Sequence, residues 1–180
     1  MSRMFSHLRW WVCAAMVLLS IGCTAVPEGI TPVKNFDVQR YAGRWYEIAR
    51  FDHSFERGMS NVTATYTLRE DGGIDVLNRG FIEAEGVWDS AKGKAYFVSD
   101  ESTGHLKVSF FGPFYASYVI VELDHDDYQY SLVTGPDRDF LWILARQPTL
   151  APDTYEQLIG IAKRNGFNVE NLIQVAHDQG

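Results

Sequence analysis

From Trp45 to Arg146 the chain is a succession of short segments in which apolar and polar residues alternate, with turn residues about every eight to twelve positions. That pattern predicts an antiparallel sandwich or barrel. Val62 to Leu68 is the clearest strand: Val62, Ala64, Tyr66 and Leu68 share one face, three threonines the other, and Asp71-Gly72-Gly73 turns the chain. In Ile74 to Ile82, Asp75 and Arg79 mark the wet face and Val76, Asn78 and Gly80 the dry one. Ala84 to Val98 predicts a bent pair of strands interrupted at Asp89 to Gly93, with Ala95 and Phe97 opposite an exposed Lys94. Leu106, Val108 and Phe110 alternate with Lys107 and Ser109 up to a turn at Gly112-Pro113. In Tyr115 to Leu123 an outward Glu122 assigns Ser117, Val119 and Val121 to the inside. Tyr128 to Val133 and Phe140 to Arg146 complete eight strands, for which a meander is the simplest order.

Helical spacing begins only after Pro148 and Pro152. Asp153 to Gly166 predicts one amphipathic helix, with acids in its first turn, Lys163 and Arg164 in its last, and Asn165-Gly166 as its end. Tyr155, Leu158, Ile159 and Ala162 form a stripe that should pack on the outside of the sheet. Asn171 to Ala176 leaves room for a short ninth strand. Ahead of the first strand, Gly43-Arg44-Trp45-Tyr46 predicts a tight reversal that drops an indole into one end of the core.

The N-terminus changes the picture. Arg3, His7 and Arg9 precede an uncharged run from Trp10 to Gly22, too short to span a bilayer, which needs about 20 residues. Residues 1–22 are therefore expected to be a secretion signal, cut before Cys23. Leu19-Ser20-Ile21-Gly22-Cys23 resembles the lipobox of bacterial lipoproteins, although Ser20 stands where an aliphatic residue is usual. That resemblance implies acylation of Cys23, and Thr24, not being an aspartate, implies sorting to the outer membrane, facing the periplasm. Residues 23–34 have the composition of a lipidated tether, and 35–180 that of the folded domain.

Cleavage would leave 158 of the 180 residues and take Cys13 away, so no free thiol remains for catalysis, metal binding or disulfides. Of 16 basic residues, Arg3 and Arg9 leave with the signal; the remaining 14 face 23 acids, a net charge of −9 that argues against nucleic acid as a partner. Eight strands closing on themselves enclose either packed side chains or one small ligand. Small residues at Ala64, Gly80, Ala95 and Ser117 favour a pocket; large residues opposite them would fill it.

In this order the segments resemble the lipocalins, and within them the bacterial outer-membrane group. The likeness rests on Gly43-Arg44-Trp45-Tyr46-Glu47-Ile48-Ala49-Arg50, on Asp126-Asp127-Tyr128 where the family has Thr-Asp-Tyr, and on Phe140 to Arg146 followed by Gln147-Pro148. It implies an all-β, eight-stranded antiparallel up-and-down barrel with one C-terminal helix packed outside. It also implies that Arg146 lies over Trp45 at the closed end, so that Gly43, Trp45 and Arg146 are structural. The function implied is carriage of a fatty acid or lysophospholipid by an anchored protein that takes part in membrane maintenance, without a cofactor. Alternation and family position together assign Trp142 and Leu144 to the cavity wall, with Tyr66, Phe97, Phe110 and Tyr115 as further ligand-binding candidates, Tyr115 near the mouth.

An enzyme is disfavoured. His53, His105, His125 and His177 fall mostly in turns or at the tail, no Gly-x-Ser-x-Gly occurs, and no two histidines have metal-ligand spacing. Glu47 is open to two readings, an acid in the pocket or a structural hydrogen-bonding group. The aromatic stretch Phe110 to Tyr118 has three: a pocket rim, a membrane-touching edge or a homodimer patch. A structural lipoprotein with a filled barrel is the rival to a carrier.

Overall fold

The computed structural model describes residues 24–178; the expected signal segment 1–22 and Cys23 lie outside the described residues. Eight strands run β1 (Gly43–Phe51), β2 (Met59–Leu68), β3 (Ile74–Ile82), β4 (Val87–Phe97), β5 (His105–Phe111), β6 (Phe114–Leu123), β7 (Tyr130–Thr134) and β8 (Trp142–Ala145). Each pairs antiparallel with its sequence neighbour, and β1 pairs with both β2 and β8, which closes the barrel. The ninth strand is present: β9 (Leu172–Gln174) adds to β1 over Ala49 to Phe51, beyond the stretch of β1 that is paired with β2.

Two short helices complete the chain. Helix α1 (Val38–Tyr41) is started by Asp37, whose carboxylate accepts the Gln39 N–H at 2.9 Å. Helix α2 (Pro152–Arg164) has Pro152 in its first turn and hands over to Gly166, whose positive φ an L-residue seldom adopts. Its stripe lies as expected, with Leu158 and Ala162 fully buried and Tyr155 and Ile159 beside them.

Two apolar clusters follow from the alternation. One fills the barrel interior around Trp45, Tyr66, Ile120, Val133 and Leu144. The other lies between the outer wall and α2, around Val119, Leu132, Ile143 and Leu158. The same physics thus buries both faces of β6, β7 and β8, whereas β2 to β4 bury only the inner one.

Three expectations are corrected here. In β6, Tyr118 and Ile120 face inward, while Val119 and Val121 belong to the helix-facing cluster and Ser117 shares their side. Glu122 misleads because a bulge between Ile120 and Glu122 shifts the phase by one residue, and because α2 makes an outer row apolar. Ala84 to Val98 is not an interrupted pair: β4 runs unbroken against β3 from Ala95 to Val87. Gly93, taken for a breaker, marks a close approach instead, since a Cβ there would lie 2.7 Å from Ser109 O.

The third correction concerns residues 24–34, which are not a free spacer. Val33 N–H donates to Ile120 O at 2.9 Å and Val33 O accepts from Gly104 N–H at 2.9 Å. Ile30 is buried in the helix-side cluster, and Arg138 donates to Glu28 O at 2.6 Å. Composition suggested mobility, but one buried isoleucine and its neighbours' backbone hydrogen bonds strap the segment to the wall.

A sealed floor and an open mouth

The strand directions put Gly43 of β1 and the β7 start at one end of the barrel, and the loops 52–58, 83–86, 112–113 and 135–141 at the other. At the first end the backbone reverses at Gly43 (φ +98°), where an added Cβ would sit 3.4 Å from Arg146 Nη1. Trp45 is completely buried and donates its indole N–H to Tyr41 O at 2.8 Å. The Arg146 guanidinium lies 4.0 Å over the indole, and its N–H groups reach Arg44 O (2.9 Å), Arg40 O (2.6 Å) and Tyr128 O (3.2 Å). One cation thus covers a π face and satisfies three carbonyls that a barrel end leaves unpaired.

Above the indole lies a tyrosine layer. Tyr41 stacks on Tyr66 at 5.5 Å, and the Tyr118 hydroxyl is 2.7 Å from that of Tyr41 and 2.9 Å from that of Tyr66. Burial pushes the Tyr41 hydroxyl up to about 12 and raises Tyr66 and Tyr118 as well, so the three stay neutral and serve as donors and acceptors for one another.

Toward the mouth the interior is charged. Arg50 is 1% exposed; its Nη1 donates to Glu47 at 2.8 Å and its Nη2 to Glu56 O at 2.7 Å. A bulge between Glu47 and Ala49 brings Glu47 and Arg50 to the same side of β1. Trp142 donates its indole N–H to Glu56 Oε2 at 3.1 Å, and His53 stacks on Phe140 at 4.3 Å, so the loop after β1 folds across the top of β8. Burial, and then the neighbouring Glu56, push the Glu47 carboxyl up to about 8; burial raises Glu56 too. Arg50 Nε is buried with no hydrogen-bond partner among the described residues.

The sequence candidates separate cleanly. Trp142 and Leu144 face the interior from β8, Tyr66 from β2, Phe97 from β4 and Phe110 from β5. Tyr115 does not join them. Its ring lies under Lys107, 5.2 Å from the Nζ, and 6.5 Å from that of Tyr96; with Thr65, Leu77 and Lys94 it lines a shallow groove on the outer wall. A register shift between Val108 and Phe111 sits beside it, and Tyr115 keeps the outward phase of Ser117. Gly43, Trp45 and Arg146 meet at the floor. Cys23 lies outside the described residues.

Sequence reasoning missed Arg50 and Glu56 altogether. The signal for Arg50 was a lone cation inside the apolar run Ile48 to Phe51; nothing in the loop marked Glu56 as buried. It also missed Ala91 and Ala116, which keep the inward phase of Ala95 and Tyr118 yet remain exposed. Together with half-buried Val108, Phe110 and Trp142 they give the upper interior contact with solvent.

A family model described as a lipocalin-like domain matches residues 36–177. The chain is 53% identical over 164 residues to the outer membrane lipoprotein Blc of Citrobacter freundii, covering 91% of this chain and 92% of that one. It is 38% identical to mouse apolipoprotein D over 146 residues, 77% of this chain and 76% of the relative. Among solved structures, insecticyanin from the tobacco hornworm superposes with a TM-score of 0.67 at 19% identity, over 84% of this chain and 86% of that one, which shows the shared fold. The matched residues include the floor and the mouth, and the bacterial relatives carry the name of outer-membrane lipoproteins. The chain belongs to the lipocalin family, in the branch of the outer-membrane lipoproteins.

Proposed function

We propose that the barrel carries one single-chain amphiphile, a fatty acid or a lysophospholipid, for upkeep of the outer membrane, and that acyl chains on Cys23 anchor it there facing the periplasm. The observation that carries this reading is the contrast along the interior: a sealed aromatic floor below, and above it inward-facing Val108, Phe110 and Trp142 that retain solvent contact. An apolar wall with a few polar groups near its entrance suits an acyl tail held inside with its head toward the mouth. A sixteen-carbon tail has about 14 methylenes, worth roughly 11 kcal/mol gross on full burial. At about 0.3 kcal/mol per heavy atom, the roughly 30 heavy atoms of a lysophospholipid with such a tail yield about 9 kcal/mol, near micromolar affinity, and a free fatty acid of about 18 atoms binds more weakly.

Tryptophan fluorescence titrated with a lysophospholipid tests the reading. Saturable quenching is expected in the wild type and its loss in Trp142→Ala, with melting of that variant checked in parallel. A flat wild-type titration would defeat the carrier and favour a filled barrel, for which Met59 and Val62 crowding Gly80 is the supporting observation.

A further inference from the structure

The turn between β5 and β6 carries the two most exposed aromatic rings among the described residues, Phe111 at 82% and Phe114 at 78%. They face each other across the strand pair, in an uncharged run from Phe110 to Ala116. Placing two phenyl rings in water at a strand tip is a standing cost of a few kcal/mol, which contact with an apolar phase removes.

What that phase is follows from where the chain begins to be held. Thr24 O lies 3.0 Å from His105 Nε2, which is itself 3.0 Å from Ser117 Oγ, on the outer wall of this same strand pair. Ser117 is three residues from Phe114, or about 10 Å along the strand. Cys23 is one peptide bond, about 3.8 Å between α-carbons, from the tethered Thr24. Residues 24–34 are strapped down, and Thr24 is held on the wall of the strand pair that carries the rings, about 10 Å from Phe114 by way of Ser117 and about 20 Å from Phe111 by way of His105, a span that leaves little slack between the domain and an acylated Cys23.

We propose that the β5–β6 tip enters the lipid bilayer that holds Cys23, so that the anchor and the two phenylalanines together orient the barrel with its mouth at the membrane surface. The reading rests on acylation of Cys23. It commits to a zwitterionic surface, because the other open-end loops carry Asp52, Glu83, Glu85, Asp137 and Asp139 against Arg57 and Arg138, and anionic head groups would repel them.

The test uses the full-length chain, processed in cells, extracted and reconstituted in phosphatidylethanolamine–phosphatidylcholine vesicles, with a nitroxide on Phe114→Cys or on Ser99→Cys at the opposite end. The ratio of oxygen to nickel-chelate accessibility is expected to be several-fold higher at position 114, and not to rise when phosphatidylglycerol is added. Equal ratios at the two positions overturn the proposal, as does a contrast that appears only with anionic lipid. Spin–spin broadening at 114 without oxygen contrast would mean that the tip meets a second copy of the chain, and also overturns it. So does a mass for the N-terminal peptide that shows Cys23 unmodified. Phe111→Ser with Phe114→Ser is expected to retain the lysophospholipid titration, since neither ring belongs to the interior cluster. A wild-type titration that fails therefore removes the carrier reading and leaves the tip contact standing.

Discussion

The two ends of the barrel solve opposite problems with similar residues. At the floor a buried tryptophan, a half-buried arginine and three tyrosines have their polar groups matched: Trp45 N–H to a carbonyl, Arg146 to three carbonyls, and the hydroxyls to one another. At the mouth an arginine and two glutamates are buried beside a half-buried tryptophan, yet Arg50 Nε has no partner among the described residues, and the Glu47 carboxyl lies close enough to that of Glu56 for the second to push its pKa up. The floor uses polar groups to lock a geometry; the mouth keeps polar groups whose demands are only partly met. Buried groups in the second condition are expensive. They are retained where something besides stability is required.

Trp45→Ala tests the floor most severely. It removes a fully buried indole, the surface that Arg146 covers and the stacking partner of Tyr41, and is expected to cost about 3–5 kcal/mol in denaturant unfolding. Ligand affinity of the fraction that remains folded should be unchanged. Unaltered melting with abolished binding would move Trp45 from the floor to the site and dissolve the comparison.

Glu47→Gln addresses the mouth through pH. Burial pushes the Glu47 carboxyl up to about 8, from an ordinary value of 4.5 in the unfolded chain. The folded state therefore holds its proton more tightly than the unfolded chain does. Stability is undiminished by this group below about pH 4.5, falls as pH rises through the window, and reaches its lower level above about pH 8. One proton sets an upper slope of about 1.4 kcal/mol per pH unit. Thermal unfolding between pH 5 and 8 should show that decline in the wild type and a shallower one in Glu47→Gln. Identical profiles would place the carboxyl in contact with water.

Tyr118→Phe is milder. It deletes the hydroxyl shared by Tyr41 and Tyr66, and an expected loss of about 1–3 kcal/mol reflects two buried groups left short of a partner. Because this layer belongs to the floor, the effect should appear in unfolding and leave the lysophospholipid titration in place.

How much of this the sequence disclosed depends on the length scale of the determining interaction. Strand alternation is local, so β2, β3, β5 and β8 and the inward phase of Tyr66, Phe110, Trp142 and Leu144 were legible. The meeting of Trp45 and Arg146 came from family resemblance and then from geometry, because nothing local links residues a hundred positions apart. The inversion of β6 was illegible: one bulge and one covering helix made Val119 and Val121 apolar on the outer face. Arg50 and Glu56 were missed because burial of a charge is decided by a loop folding back over a strand, which composition does not encode. The strap of residues 24–34 was hidden in the same way, behind proline and glycine content that usually signals freedom.

The finest test of inside against outside uses two neighbouring rings. Phe110 and Tyr115 sit on adjacent strands beside the same register shift, one packed in the interior and one on the outer wall. Tyr115→Ala removes a contact with Lys107 worth about 0.5–1 kcal/mol at an exposed site. Lysophospholipid affinity should not change, because no part of that side chain reaches the interior cluster. Phe110→Ala should instead weaken binding, since the lost ring is wall that an acyl tail would touch, while Gly93 beside it offers no side chain to take its place. If the two substitutions weaken binding equally, ligand approaches along the outer groove as well as through the mouth, and the partition of β5 and β6 into an inner and an outer face ceases to explain specificity. If only Tyr115→Ala weakens it, the bulge shifts by one residue when a ligand is bound and the ring turns inward.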